Sequence, residues 1–340
     1  KYEFEQRWAD RHGRRVRDYL FAYIDRLAGA GHHLAPLANP VLRTGLARRL
    51  ADRWPGIAGQ RSLPQLAGRS LHSLVRGRKQ APQAAAREHV LFLSDAFTEY
   101  FQPQVGLAAI ELLERAGCRV TLLPVTGAGR TLISKGFLRE AKAHAERVLK
   151  AIAQVDPQGA LAVVGVEPSE IYTLRDEYLD FFPGDEQVQR LVERAYMVDE
   201  FLVRPAMDGT LRIANIMERV KDGRAGQKVL LHGHCYQKAQ PPATDGYPTG
   251  TAASQALLEA AGYQVEVIDS GCCGMAGAFG YEAEHYELSM KIGELKLLPA
   301  VRAAGEDMLI AASGVSCEAQ IKDGTGRSAL HPVELVFKSL

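Results

Sequence analysis

Two adjacent cysteines stand between glycines in the run Gly271-Cys272-Cys273-Gly274-Met275-Ala276-Gly277. A cysteine used for packing behaves as a small hydrophobe and needs no neighbour of its own kind. Glycines on both sides make sense where the backbone must bend tightly to bring two sulfurs to one object. Adjacent Cα atoms lie about 3.8 Å apart, closer than disulfide geometry favours, so the pair is poorly suited to bridging itself. Metal ligation is the expected use of such a loop.

Two further cysteines sharpen this reading. Thirty-six residues separate Cys272 from Cys235, in Leu231-His232-Gly233-His234-Cys235-Tyr236, and forty-three separate Cys273 from Cys317, in Ser313-Gly314-Val315-Ser316-Cys317. Each follows an apolar run that reads as a strand: Val229–Leu231, Val265–Ile268 and Met308–Ala312. In an open parallel sheet, ligands bind beyond the carboxyl ends of the strands. Three strands ending in cysteine therefore predict four converging sulfurs. Cys118 follows a different pattern and reads as a core residue.

The preceding 140 residues alternate strand and helix: Val90–Leu93, Val105–Ala116, Arg119–Leu123, Leu138–Ile152 and Ala160–Val164. This rhythm predicts a parallel α/β sheet with right-handed crossovers. It also repeats. Val90–Phe97 aligns with Val229–Tyr236 at an offset of 139, Ala116–Val120 with Ala261–Val265 at 145, and Glu167–Ile171 with Gly314–Glu318 at 147. An internal duplication is the economical account. The first half holds Ala96, Gly127, Ala128 and Glu170 where the second holds the four cysteines, so it reads as a retired copy of the site. Gly127-Ala128-Gly129-Arg130 reads as the decayed cysteine loop in preference to an anion-binding loop.

Ahead of the repeats lies a basic arm. Residues 1–88 carry a net charge of +10 and the remainder −9. A basic arm lying on an acidic body or partner is expected, not a nucleic-acid surface. Glu3–Ala28 predicts one packed helix with a stripe of Phe4, Trp8, Tyr19, Leu20, Tyr23 and Leu27. A second helix is expected between Pro40 and Pro55, and residues 56–88 read as an extended linker. No apolar run is long enough to span a membrane. Lys rather than Met at position 1 suits a chain that begins partway through a longer protein, or one that has been trimmed. Five cysteines, an odd number, do not form a secreted disulfide framework, and a reducing cytoplasmic compartment is expected.

The runs His-Gly-His-Cys235-Tyr-Gln-Lys-Ala, Gly-Cys272-Cys273-Gly-Met-Ala-Gly-Ala-Phe-Gly-Tyr-Glu and Ser-Gly-Val-Ser-Cys317, with His331-Pro332 beyond, resemble the cysteine-rich CCG domain. That domain occurs in the heterodisulfide reductase B subunit, the glycolate oxidase iron–sulfur subunit and the anaerobic glycerol-3-phosphate dehydrogenase C subunit. The chain most resembles the C-terminal part of fused FAD-linked oxidase/iron–sulfur proteins of the bacterial D-2-hydroxyglutarate and D-lactate dehydrogenase type. Lys1–Tyr23 is similar to the segment following the ferredoxin cysteines there. One departure stands out: the family pattern ends in Cys-x-x-Cys, whereas this chain has Cys317-Glu318-Ala319-Gln320.

The resemblance implies an iron–sulfur cluster, of the 4Fe-4S kind, on Cys235, Cys272, Cys273 and Cys317, with His234 as a further candidate metal ligand. His331 and His232 are weaker candidates. It also implies FAD on an FAD-binding domain, and a ferredoxin-like 4Fe-4S domain, upstream or on another chain. FAD would take hydride from C2 of a 2-hydroxy acid, and electrons would pass to an acceptor such as a quinone or electron-transfer protein. The location implied is cytoplasmic, or peripheral at the inner membrane. No catalytic residue is assigned. Two alternatives stay open: four thiolates also suit zinc, structural or polarising a substrate, and Cys272–Cys273 also suits thiol–disulfide redox. The expected organisation is a helical arm and linker (1–88), a degenerate repeat (89–222) and the cysteine-bearing repeat (223–340), each repeat a Rossmann-like α/β half with a parallel sheet.

Overall fold

The computed structural model describes residues 1–78, 86–206, 208–217 and 226–340. The expected boundary at 222–223 and part of the expected linker, residues 79–85, lie outside the described residues. Among the described residues, seven short strands form two parallel sheets. The first contains β1 (Glu88–Phe92), β2 (Cys118–Leu122), β3 (Ala162–Gly165) and β4 (Ala195–Met197) in the order β2-β1-β3-β4. The second contains β5 (Lys228–His232), β6 (Gln264–Val267) and β7 (Leu309–Ala312) in the order β6-β5-β7.

The strand register reproduces the duplication read from the sequence. Val90 lies beside Val120 on β2 and Ala162 on β3. Val229 lies beside Val265 on β6 and Leu309 on β7, so the three partners are displaced by 139, 145 and 147 residues. These are the offsets at which the two halves of the sequence align. The fold is α/β, built from two pseudo-repeated Rossmann-like halves behind N-terminal helices. Where β4 extends the first sheet, a single parallel bridge from Ala311 to Leu330 flanks β7.

Alternation along each strand divides the core, because successive side chains point to opposite faces. Val90 and Phe92 of β1, with Val229 and Leu231 of β5, enter one shared apolar layer between the halves. Helices Pro103–Arg115, Gly250–Ala260 and Pro332–Ser339 fill that layer through Val105, Ala109, Leu112, Ala253, Leu257, Val333 and Val336. Leu91 and Val163 face a second core under helices Leu138–Val155 and Pro168–Arg175. Leu230 and Ile310 face a third, which includes Cys273 and Cys317 themselves.

The arm differs from expectation. Residues 3–28 are not one helix but parts of three, Tyr2–His12, Val16–Ala22 and Ile24–Gly31, because Gly13 closes the first with φ 81°. Its aromatic stripe is not packed throughout: Phe4 is 67% and Trp8 55% exposed. The next helix starts at Ala35 and carries Pro40 inside its last turn, and a further helix spans Gly45–Arg53. The linker contains a helix, Leu71–Arg76.

The basic arm does lie on the body. Arg17 pairs with Glu282 (3.3 Å) and Glu284, and Arg15 also pairs with Glu284. Arg61, 0% exposed, donates to the Gly280 carbonyl (2.9 Å) and to Ser289 Oγ (2.8 Å).

Candidate metal centre

Three strand ends deliver the sulfurs. After β5, His234 accepts the Tyr236 N–H at 3.2 Å and caps a single helical turn, Cys235–Lys238, so Cys235 opens that turn. After β6, the chain runs through the loop that holds Cys272 and Cys273. After β7, Gly314 leads into helix Val315–Thr325, whose first turn carries Cys317. A side chain at Gly314 would place its Cβ 2.5 Å from the His234 ring, so glycine is required for this close approach.

The four thiols influence one another in a row, Cys235 with Cys272, Cys272 with Cys273, and Cys273 with Cys317, and the Sγ atoms of Cys273 and Cys317 lie within 4.8 Å of each other. Cys273 and Cys317 are buried, and Cys235 and Cys272 are half-buried. None of the five cysteines is in a disulfide. Hydrogen bonds from Cys235 and Cys273, joined by the Gly274 and Ala276 N–H groups, pull the Cys272 thiol down. The Cys273 hydrogen bond does the same for Cys317. Cys235 and Cys273, the donors, are pushed up, and burial adds to this. Cys118 lies apart on β2, where burial pushes its thiol up to about 12.

The backbone supports the sulfurs. Gly274 N–H donates to Cys272 Sγ at 3.3 Å, and Gly274 holds φ 98° with its Cα facing the Ser289 carbonyl, where a Cβ would come within 2.2 Å. Ala276 takes the left-handed φ of 40°, unusual for a residue with a Cβ, and its N–H also reaches Cys272. Lys238 fastens the loop from the other side. Its Nζ donates to the Ser270 carbonyl, to Ser270 Oγ (3.0 Å) and to the Gly271 carbonyl (3.3 Å). Burial lowers the Lys238 pKa, while Cys317, Cys235 and Cys273 favour its charged form.

The histidines divide by role. His234 spends Nδ1 as a cap and sits 3.9 Å from Cys235 Sγ, and burial holds its imidazole neutral. His331 caps helix Pro332–Ser339 through Val333 N–H (3.2 Å) and hydrogen-bonds the Val166 carbonyl (3.1 Å). Burial drives its pKa down to about 4. His232 is the histidine that joins sulfurs: one nitrogen of its ring and the Sγ atoms of Cys273 and Cys317 lie within 4.8 Å of one another. The alternation of His232 and His234 at the end of β5 was the signal for it. A second grouping, Glu282, Glu284 and His285, is neutralised by Arg15, Arg17 and Lys135. A cavity of about 590 Å³ opens there beside the cysteine loop, lined by Phe4, Trp8, Arg14, Lys135, Ala276 and Phe279 among others.

The first half fills the corresponding position differently. Glu170 turns its carboxylate onto the 127–130 loop, accepting N–H groups from Ala128 (2.5 Å) and Arg130 (3.3 Å). The loop's N–H groups are thus taken by a carboxyl of the same chain.

A sequence profile of the cysteine-rich (CCG) domain family matches residues 229–322. Relatives extend the likeness over nearly the whole chain. Escherichia coli (strain K12) D-2-hydroxyglutarate dehydrogenase is 27% identical over 98% of the chain and 31% of its own length. The C subunit of anaerobic glycerol-3-phosphate dehydrogenase from the same organism is 26% identical over 96% of the chain and 77% of its length. Lactate utilization protein A of Macrococcus caseolyticus (strain JCSC5402) is 26% identical over 73% of the chain and 95% of its length. The chain thus spans about a third of the length of the first of these relatives. Among the described residues, no helix is long and apolar enough to cross a membrane.

Proposed function

We propose that this chain is the electron-transfer module of an FAD-dependent D-2-hydroxy-acid dehydrogenase of the D-2-hydroxyglutarate or D-lactate type. In this reading Cys235, Cys272, Cys273 and Cys317 hold an iron–sulfur cluster at the carboxyl end of the second sheet. The observation that carries it is that four thiols from three strand ends are close enough to shift one another's ionisation, with Cys273 and Cys317 buried side by side. Four thiolates are a fitting donor set for such a cluster. When bound, the cluster supplies one-electron transfer between the flavin side and an acceptor.

The residues of the chain do the rest. Cys273 and Cys317 sit in the third apolar core, which excludes water from the inner side of the site. Backbone N–H groups of Gly274 and Ala276 donate to Cys272, and hydrogen bonds to ligand sulfur tune a cluster's potential. The Lys238 ammonium offsets the negative charge that thiolates accumulate. The FAD-binding domain and a ferredoxin-like 4Fe-4S domain belong upstream or on another chain, and the cleft beside Phe4 and Trp8 adjoins the cysteine loop where such a donor docks. The first half serves as a scaffold, a copy whose ligand positions have gone and whose loop is occupied by Glu170.

Metal and sulfide analysis with an absorption spectrum of anaerobically purified chain tests this reading. Iron and sulfide with broad visible absorption, lost in Cys272→Ser, is the expected result. Colourless protein with about one zinc per chain overturns electron transfer in favour of a structural or substrate-polarising zinc. Metal-free protein whose activity in the full enzyme is lost on alkylation points to thiol–disulfide redox.

A further inference from the structure

The cysteines account for four ligands, yet a fifth group reaches the same point. His232 is 0% exposed at the end of β5, and its Nε2 makes no hydrogen bond of ordinary geometry, although the ring stands close enough to Cys317 to favour that residue's thiolate. Its other nitrogen is engaged: Nδ1 lies 2.9 Å from Ser270 Oγ, and Lys238 Nζ donates to the same hydroxyl at 3.0 Å. Buried polar atoms are nearly always paired, so an orphan on a ring that stands beside two thiols asks for an explanation. The shared 4.8 Å grouping of His232 with Cys273 and Cys317 supplies one.

We infer that His232 Nε2 is a direct ligand of the metal group at this site, standing beside Cys273 and Cys317 on its buried side. The inference rests on the metal-holding reading above. A proton on Nδ1 donated to Ser270 Oγ leaves the Nε2 lone pair free to ligate. This is the arrangement metal-bound histidines adopt, in which the outer nitrogen donates to a fixed partner and sets the tautomer. Ser270 and Lys238 then act as positioning residues, holding the ring through its far side. The neighbouring candidate does not compete, because His234 Nδ1 already accepts the Tyr236 N–H, which puts the ring proton on Nε2. A mixed nitrogen and sulfur set also has a consequence. A neutral imidazole at this position brings no negative charge where a thiolate would, which keeps the reduction potential of an iron–sulfur centre higher than an all-sulfur shell of the same size.

X-ray absorption at the metal K edge of the full chain, loaded anaerobically with iron and sulfide, reads this directly and works equally if the metal is zinc. The expected spectrum contains outer-shell scattering from one imidazole, lost in His232→Gln and retained in His234→Gln. His232→Cys is expected to keep the metal with sulfur scattering only, and to lower the midpoint potential if the group is an iron–sulfur cluster. A loaded wild-type chain with sulfur scattering alone overturns the inference and leaves the metal reading standing. So does imidazole scattering that persists in His232→Gln. A chain that takes up neither iron nor zinc overturns the metal reading itself, and the inference with it.

Discussion

Gly274 donates its backbone N–H to the Cys272 sulfur across 3.3 Å, from a conformation that only glycine holds comfortably. The same residue presses against the Ser289 carbonyl, where a Cβ would come within 2.2 Å. Gly274→Ala must therefore move the loop, and a loss of about 2–4 kcal/mol in stability is expected from left-handed strain plus overpacking. Metal content should fall with it. Gly271→Ala, which meets nothing within 4 Å and has no positive φ, is the control. Thermal melts and metal analysis of both variants check this, and equal effects would refute the role given to Gly274.

Metal loading should strengthen with pH. Cys235 and Cys273 are pushed toward the protonated form by the hydrogen bonds they donate, and thiols must lose protons to ligate. Between pH 6 and 8 the apparent affinity is expected to rise by at least ~10-fold per pH unit. Competition titrations against a chelator measure it. A pH-independent affinity would contradict protons residing on those two sulfurs.

Glu170 should make the chain less stable as pH rises. Burial, with Asp95 nearby, lifts its carboxyl from 4.5 to about 7. The folded state holds this proton more tightly than the unfolded chain, so its contribution is fully present below pH 4.5 and is lost as pH climbs through about 7. Glu170→Gln keeps an acceptor for the Ala128 N–H and removes the titration. Its stability relative to wild type should grow between pH 5 and 8, by on the order of 3 kcal/mol at most. Denaturant unfolding at several pH values decides, and a constant difference would sink the assignment.

Arg61 ties the arm to the cysteine-bearing half. Beyond Gly280 and Ser289 it reaches Asp323 at 3.4 Å and lies over the Tyr286 ring at 5.0 Å. Arg61→Ala leaves Asp323 largely buried without its cation, and a cost of about 3–5 kcal/mol is expected. Arg61→Lys should recover only part of it, because a point charge cannot reproduce the fork of donors. Full rescue by lysine, read from unfolding midpoints, would show that charge alone matters.

Glu167 joins the two halves. One oxygen accepts the Ser169 N–H at the start of its own helix, and the other accepts the Val315 N–H at the start of the helix carrying Cys317, at 3.2 Å. Glu167→Ala should destabilise by about 1–2 kcal/mol, the usual effect of losing a cap. Glu167→Gln, which keeps an acceptor, should cost less. Comparable losses in chemical denaturation would show that the carboxylate does not cap.

The sequence alone determined the parallel α/β rhythm, the duplication and the four sulfurs at strand ends. Those features are local or periodic: apolar runs mark strands, and a two-fold repeat is visible as offsets that the strand register then reproduces at Val90 and Val229. The arm was less legible, because a stripe of aromatic residues does not say whether a partner covers it, and Gly13 outweighed the periodicity. Only the tertiary structure decided which histidine turns toward the sulfurs. His232 and His234 are equivalent as spacing, but one ring is engaged by Ser270 from a distant loop and the other caps the helix that follows it. Likewise nothing in the order of residues says that Glu170 occupies the emptied loop of the first half, or that Arg61 is sealed beneath Tyr286. Such roles depend on which groups lose water together and must then satisfy one another, and that is settled when the chain closes on itself.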